Sequence, residues 1–111
     1  MHVLLINGSP HEKGCTYTAL SLVAGELNAA GITTEILNVG TKPVGGCIGC
    51  GGCAKGNGCV FGGVVNEAIE KAKTADGFVF GSPVHYASAS GNMTSFMDRL
   101  SYAGGKYLAY K

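Results

Sequence analysis

The sequence predicts a three-layer α/β fold built around a parallel sheet. Two patterns lead there: short apolar runs of strand length, and intervening stretches whose apolar residues recur at i, i+3 and i+4. Strands that alternate with helices join by right-handed crossovers, so the sheet is parallel and covered on both faces. With 111 residues, the chain holds one domain at most.

Residues 2–7, His-Val-Leu-Leu-Ile-Asn, form a nearly continuous apolar run ended by Gly8, as in a strand buried on both faces. From Thr16 to about Ala30 the apolar positions Leu20, Val23, Ala24 and Leu27 make one helical face, and Gly31 stands where such a helix stops. About fifteen residues at roughly 1.5 Å each match the roughly 20 Å of a six-residue strand, so this helix can return the chain along the sheet. Residues 33–39 give a second strand, and a glycine-rich loop with cysteines runs from about 40 to 62. Val65, Ala68, Ile69 and Ala72 repeat the helical stripe, and Asp76-Gly77 leads into the strand Phe78-Val79-Phe80. Met93, Phe96, Met97 and Leu100 predict a third helix over about 92–103. Tyr107 to Tyr110 has strand-like composition. Three strands alone would expose the edge of the third and an apolar helix face. The chain is therefore expected to be the N-terminal portion of a C-terminally incomplete domain, and to associate as a homo-oligomer.

Composition excludes other classes. Hydrophobic residues at 46%, charged residues at 14% and a mean hydropathy of +0.23 are those of a chain that buries a core, not of a disordered one. A net charge of +1 supplies no basic field for nucleic acid or a membrane surface. The N-terminus shows no signal-peptide pattern and no apolar stretch reaches membrane length, so a cytoplasmic location is expected. Glycine, 19 of 111 residues, exceeds the usual ~7% and is suited to tight loops.

Such a location also argues against a disulfide framework for the five cysteines. Cys47, Cys50, Cys53 and Cys59 fall in a C-x2-C-x2-C-x5-C pattern among glycines that let a loop fold back sharply, while Cys15 stands apart. Three readings fit this spacing: an iron-sulfur centre, a zinc site, or a loop of reduced, non-ligating thiols. Gly49, Gly51 and Ala54 nominally match a dinucleotide fingerprint, but neither a strand before them nor a helix after them supports it.

Ligands of open α/β sheets bind at the carboxyl ends of the strands, where two unusual loops fall. The first, Gly8 to Thr16, leads into a helix N-terminus that can cradle a phosphate with its N–H groups and with the Ser9 and Thr16 hydroxyls; alternatively those hydroxyls cap the helix. The Walker pattern fails for want of a Lys-Ser/Thr pair after the second glycine. A cysteine-phosphatase loop fails as well, because the only arginine is Arg99. The second loop, Ser82 to Gly91, offers exposed backbone N–H groups, with His85 and Tyr86 able to wall a flat aromatic ligand; otherwise Tyr86 is a core residue and His85 a solvated one. Asp98 and Arg99 are expected to form a structural ion pair.

Leu5 through Pro10 (Leu-Ile-Asn-Gly-Ser-Pro), Gly14-Cys15-Thr16, Gly81 through Tyr86 (Gly-Ser-Pro-Val-His-Tyr) and Met97-Asp98-Arg99 resemble the flavodoxin-like NADPH-dependent FMN reductase family. The resemblance covers the whole chain and the front portion of that family's domain. It implies a doubly wound parallel sheet, an FMN phosphate at Ser9, His11, Gly14, Cys15 and Thr16, and an isoalloxazine held by Ser82, Pro83, Val84, His85 and Tyr86. Cys15 replaces a common asparagine, which changes the side-chain contact but not the backbone ones. The four-cysteine insertion resembles the iron-sulfur flavoproteins of this group, which implies a 4Fe4S cluster on Cys47, Cys50, Cys53 and Cys59. The activity implied is hydride transfer from NAD(P)H to flavin and onward transfer to a quinone, free flavin or another acceptor, or single-electron exchange with ferredoxin. A non-enzymatic iron-sulfur or flavin electron carrier, or a metal-binding module, is the alternative.

Overall fold

A computed structural model describes residues 1–56, 58–109 and 111. Its elements in order are β1 (His2–Asn7), α1 (Cys15–Ala29), β2 (Thr33–Asn38), a 3-10 turn (Gly52–Lys55), α2 (Val64–Ala72), β3 (Gly77–Gly81), β4 (Val84–His85), β5 (Ser88–Ala89) and α3 (Gly91–Leu108). The main sheet is parallel in the order β2-β1-β3, with Leu4 opposite both Glu35 and Phe78. Central β1 explains its own apolar run. Leu4 and Ile6 pack with Val65, Ile69, Met93 and Phe96 of α2 and α3, whereas Val3 and Leu5 pack with Leu20 and Ala24 of α1. Helices on both faces give the three predicted layers. The chain leaves β1 to β2 on one side and returns to β3 on the other, so the crevice beyond β1 and β3 is the sheet's switch point.

Gly31 closes α1 as predicted. Its N–H bonds the Asn28 carbonyl at 3.0 Å, the Ile32 N–H bonds the Leu27 carbonyl at 2.9 Å, and its φ of +84° is the left-handed conformation such a stop requires. On α1, Leu20 and Ala24 are buried and Leu27 is partly covered, but Val23 lies outside the core at 39% exposure.

Two expectations about local structure fail. The C-terminal segment is not a strand: α3 continues through Tyr107 and Leu108, which pack against the α2 side of the core, and the ammonium groups of Lys73 and Lys106 lie 5.2 and 4.9 Å from the Tyr107 ring. The helical period of α3 extends past Leu100 and Gly104, so contact with α2 overrides β-propensity. Tyr110 lies outside the described residues. The loop after β3 contains the β4-β5 hairpin, whose two turn residues, Tyr86 and Ala87, have φ of 46° and 63°, the sign pattern of a type I′ turn. Among the described residues no helix is long and apolar enough to cross a membrane.

Candidate functional site

Asn7, the last residue of β1, is fully buried and shapes the loop that follows. Its Nδ2 donates to Asn38 Oδ1 at 2.9 Å and to the Glu12 carbonyl at 3.4 Å, while its Oδ1 accepts the Ser9 N–H at 3.0 Å. Buried Ser9 in turn accepts the His11 N–H on its Oγ at 3.1 Å. The Ser9 hydroxyl therefore braces the loop and does not cap α1. Nor does Thr16: Gly14 is the N-cap residue and no side chain caps the helix. First-turn N–H groups have no acceptor within a helix, so here they remain available to an anion, with the positive end of the helix dipole behind them. A Cβ at Gly14 would stand 3.1 Å from the His11 Cβ, so glycine lets the loop close against the helix start. His11 and Cys15 are exposed and Thr16 is half-buried. The cradle fits a phosphate.

The two carboxyl-end loops are stitched together. Gly8 donates its N–H to the Gly81 carbonyl at 2.8 Å, and Ser90 Oγ donates to the Gly8 carbonyl at 3.0 Å while accepting the Met93 N–H at 3.2 Å as the cap of α3. Ser82 Oγ accepts the Ser90 N–H at 2.9 Å and donates to the Pro83 carbonyl at 2.9 Å. Cys15, Thr16, Ser82 and Pro83 consequently line one open cleft with Leu20 and Phe80. Val84, His85 and Tyr86 do not line that cleft. They stand exposed on the hairpin, and Tyr86 is fully exposed, contrary to its reading as a core tyrosine.

All four clustered cysteines are free thiols lining a second, narrow cleft with Phe61 and Arg99. Thiols are the right donors for a soft metal. They share the cleft without converging: among the described residues no three Cys, His, Asp or Glu side chains are gathered as a metal would need. Arg99 does not pair with Asp98, because adjacent residues on a helix do not face each other. Its Nε donates to Cys59 Sγ at 3.3 Å, Nη1 to the Gly45 carbonyl at 3.4 Å and Nη2 to the Gly62 carbonyl at 3.0 Å, and it lies 5.3 Å from the Phe61 ring centroid. Burial pushes the Cys59 thiol up, but the Phe61 backbone hydrogen bond, the Arg99 hydrogen bond and the Arg99 charge together bring it below the ordinary cysteine value.

Sequence reasoning missed Asn7, Asn38, Ser90 and the role of Arg99. Asn7 carried a signal, a polar side chain closing an otherwise apolar strand. Ser90 carried another, a cap residue just before a helical stripe.

A parallel sheet with an uncapped helix start and stitched loops at its switch point defines a flavodoxin-like domain with an anion-ready crevice. Residues 1–111 match the NADPH-dependent FMN reductase family, and the chain belongs to it. An iron-sulfur flavoprotein of Methanocaldococcus jannaschii is 34% identical over 99 residues, covering 89% of this chain and 51% of that protein. One from Archaeoglobus fulgidus is 31% identical over 99 residues, covering 89% and 48%. The solved NAD(P)H:quinone oxidoreductase from Methanothermobacter marburgensis superposes with a TM-score of 0.71 at 20% identity, over 94% of this chain and 54% of that one, and shares the fold. The chain spans about half the length of the curated relatives it matches.

Proposed function

We propose that this chain binds FMN at the carboxyl end of its sheet and works as an NAD(P)H-dependent oxidoreductase that passes electrons to a small-molecule acceptor, a quinone or a flavin. The observation that carries the reading is the uncapped start of α1, facing a loop braced by Asn7 and Ser9, in a chain of the FMN reductase family. Bound FMN supplies the hydride and electron chemistry. The chain's residues hold and orient it: Gly14, Cys15 and Thr16 present backbone N–H groups to the phosphate, the Thr16 hydroxyl, which does not cap the helix, adds a further donor, and Ser9 and His11 flank them. Ser82 and Pro83 lie on the ring side, and Val84, His85 and Tyr86 provide a hairpin that can cover it. Among the described residues β3 is an edge strand, and this edge with the exposed Val23 supports a further strand and helix completing the ring side.

Replacing Thr16 by Val is expected to weaken FMN far more than riboflavin, which lacks the phosphate; equal losses in fluorescence titrations would overturn the assignment. NADH or NADPH oxidation by the flavin-loaded protein separates an enzyme from a non-enzymatic carrier.

Four free thiols on one cleft favour a second component, a 4Fe4S cluster on Cys47, Cys50, Cys53 and Cys59, with ferredoxin as a one-electron partner. Anaerobic protein should then contain roughly four iron and four sulfide per chain. Stoichiometric zinc, or no metal, rejects the cluster.

A further inference from the structure

The cysteine segment hangs from the domain by two stems, and one side chain joins both. At the entry stem Asn92 of α3 accepts the Val44 N–H on Oδ1 at 3.1 Å and donates Nδ2 to the Lys42 carbonyl at 3.1 Å. At the exit stem Asn66 of α2 engages both backbone groups of Cys59, accepting its N–H at 2.8 Å and donating to its carbonyl at 2.9 Å. Arg99 bridges the stems through the Gly45 and Gly62 carbonyls and places its Nε on Cys59 Sγ. Cys47, Cys50 and Cys53 ride on the arc between. Its backbone bonds among the described residues are local, such as Ala54 to Gly51 and Gly56 to Cys53, and Gly49, Gly51 and Gly56 have positive φ.

We infer that Arg99 is the positioning residue of the four-cysteine site: it holds Cys59 as the one thiol already in place, onto which Cys47, Cys50 and Cys53 close when a soft metal binds. This rests on the reading of that site as a metal centre. Arginine suits the task because its planar fork of five donors reaches two carbonyls and a sulfur together, which a lysine cannot do. A guanidinium beside the sulfur also offsets the mutual repulsion of gathered thiolates.

Cobalt(II) added to the reduced, anaerobic full chain tests the inference, read by thiolate-to-metal charge-transfer absorption. Loss of an outer partner of a metal ligand typically weakens metal binding about 10- to 100-fold, and Arg99→Met is expected to fall in that range with a less intense charge-transfer band. Arg99→Lys, which keeps the charge but not the fork, should restore binding only in part. Cys59→Ser should weaken cobalt binding more than Cys47→Ser, Cys50→Ser or Cys53→Ser does. Wild-type affinity in Arg99→Met, or equal losses at all four cysteines, overturns the positioning role while leaving the metal reading intact. No cobalt binding by the wild-type chain overturns both. If circular dichroism shows Arg99→Met unfolded, Arg99→Lys decides: it must fold and bind more weakly than wild type, and wild-type affinity there overturns the role.

Discussion

Two glycine-rich loops flank the sheet end and are held in opposite ways. The 8–14 loop is fixed from within, by buried Asn7 and Ser9 and by the tie from Ser90 to Gly8. Between Gly40 and Gly63, by contrast, lie all the positive-φ glycines among the described residues except Gly31. That segment is fastened at its stems. The first loop offers its donors already arranged, so a ligand there orders little. The second needs its ligand to gather the thiols, and so its assembly carries an ordering cost that the first avoids.

The sharpest way to break this contrast is a methyl group placed in each loop. A Cβ at Gly8 would lie 2.6 Å from Met93 Cε and 3.1 Å from the Gly81 carbonyl oxygen. Gly8→Ala is expected to destabilise the fold by about 3 kcal/mol in urea unfolding, since the crowded neighbours include backbone and the first residues of α3. Removing the cap and the tie together in Ser90→Ala should cost about 1–2 kcal/mol by the same measurement and weaken FMN in parallel. Gly49 has open space around its Cβ but a φ of +68°. Gly49→Ala should therefore cost only the roughly 1–2 kcal/mol of a side chain held in the left-handed region, and a loss matching that of Gly8→Ala would show that the arc is not independent of the core.

The smallest effect lies away from both loops, in the ion pair of Lys71 with Glu35 on the half-exposed side of α2 and β2. The Glu35 hydrogen bond raises the Lys71 ammonium above its ordinary value; burial opposes this, and the Glu35 and Glu67 charges add to it. A raised value in the folded state makes this stabilisation complete below the ordinary lysine range and lost as pH climbs through the folded-state value. The unfolding midpoint of Lys71→Met should accordingly trail wild type by a small constant amount at neutral pH and converge with it above about pH 10.5.

Apolar runs revealed each strand of the main sheet and helical spacing revealed each α-helix, because each buries apolar residues whose order survives in one dimension. The stripe of α3 runs on at the same spacing through Ala103, Tyr107 and Leu108, but Gly104 and Gly105 weaken it as a helix signal, and the packing of α3 on α2, a partner distant in sequence, is what carries the helix to Leu108. The β4-β5 hairpin was illegible for a different reason: Tyr86 and Ala87 occupy a turn that favours Asn-Gly, so the usual marker is missing. At the candidate site the loops were found from their residue types, but their bracing was not. Buried Asn7 reaches Asn38 across the sheet, and Arg99 reaches carbonyls of a loop more than thirty residues away, neither of which leaves a local pattern.

Among the described residues the cysteine segment is hydrogen-bonded to the rest of the fold only at its stems, which leaves its length nearly free. Doubling a flexible loop adds only about 0.6 kcal/mol of closure entropy, so two or three extra residues inserted between Cys53 and Cys59 leave the sheet and its helices as they are. One extra residue between Ser90 and Met93 has no such freedom. It would rotate the apolar stripe of α3 by about 100° and carry Met93 and Phe96 off the core. Added length is therefore tolerated in the arc, where the spacing of the thiols can change, and not at the start of α3, which holds the crevice together.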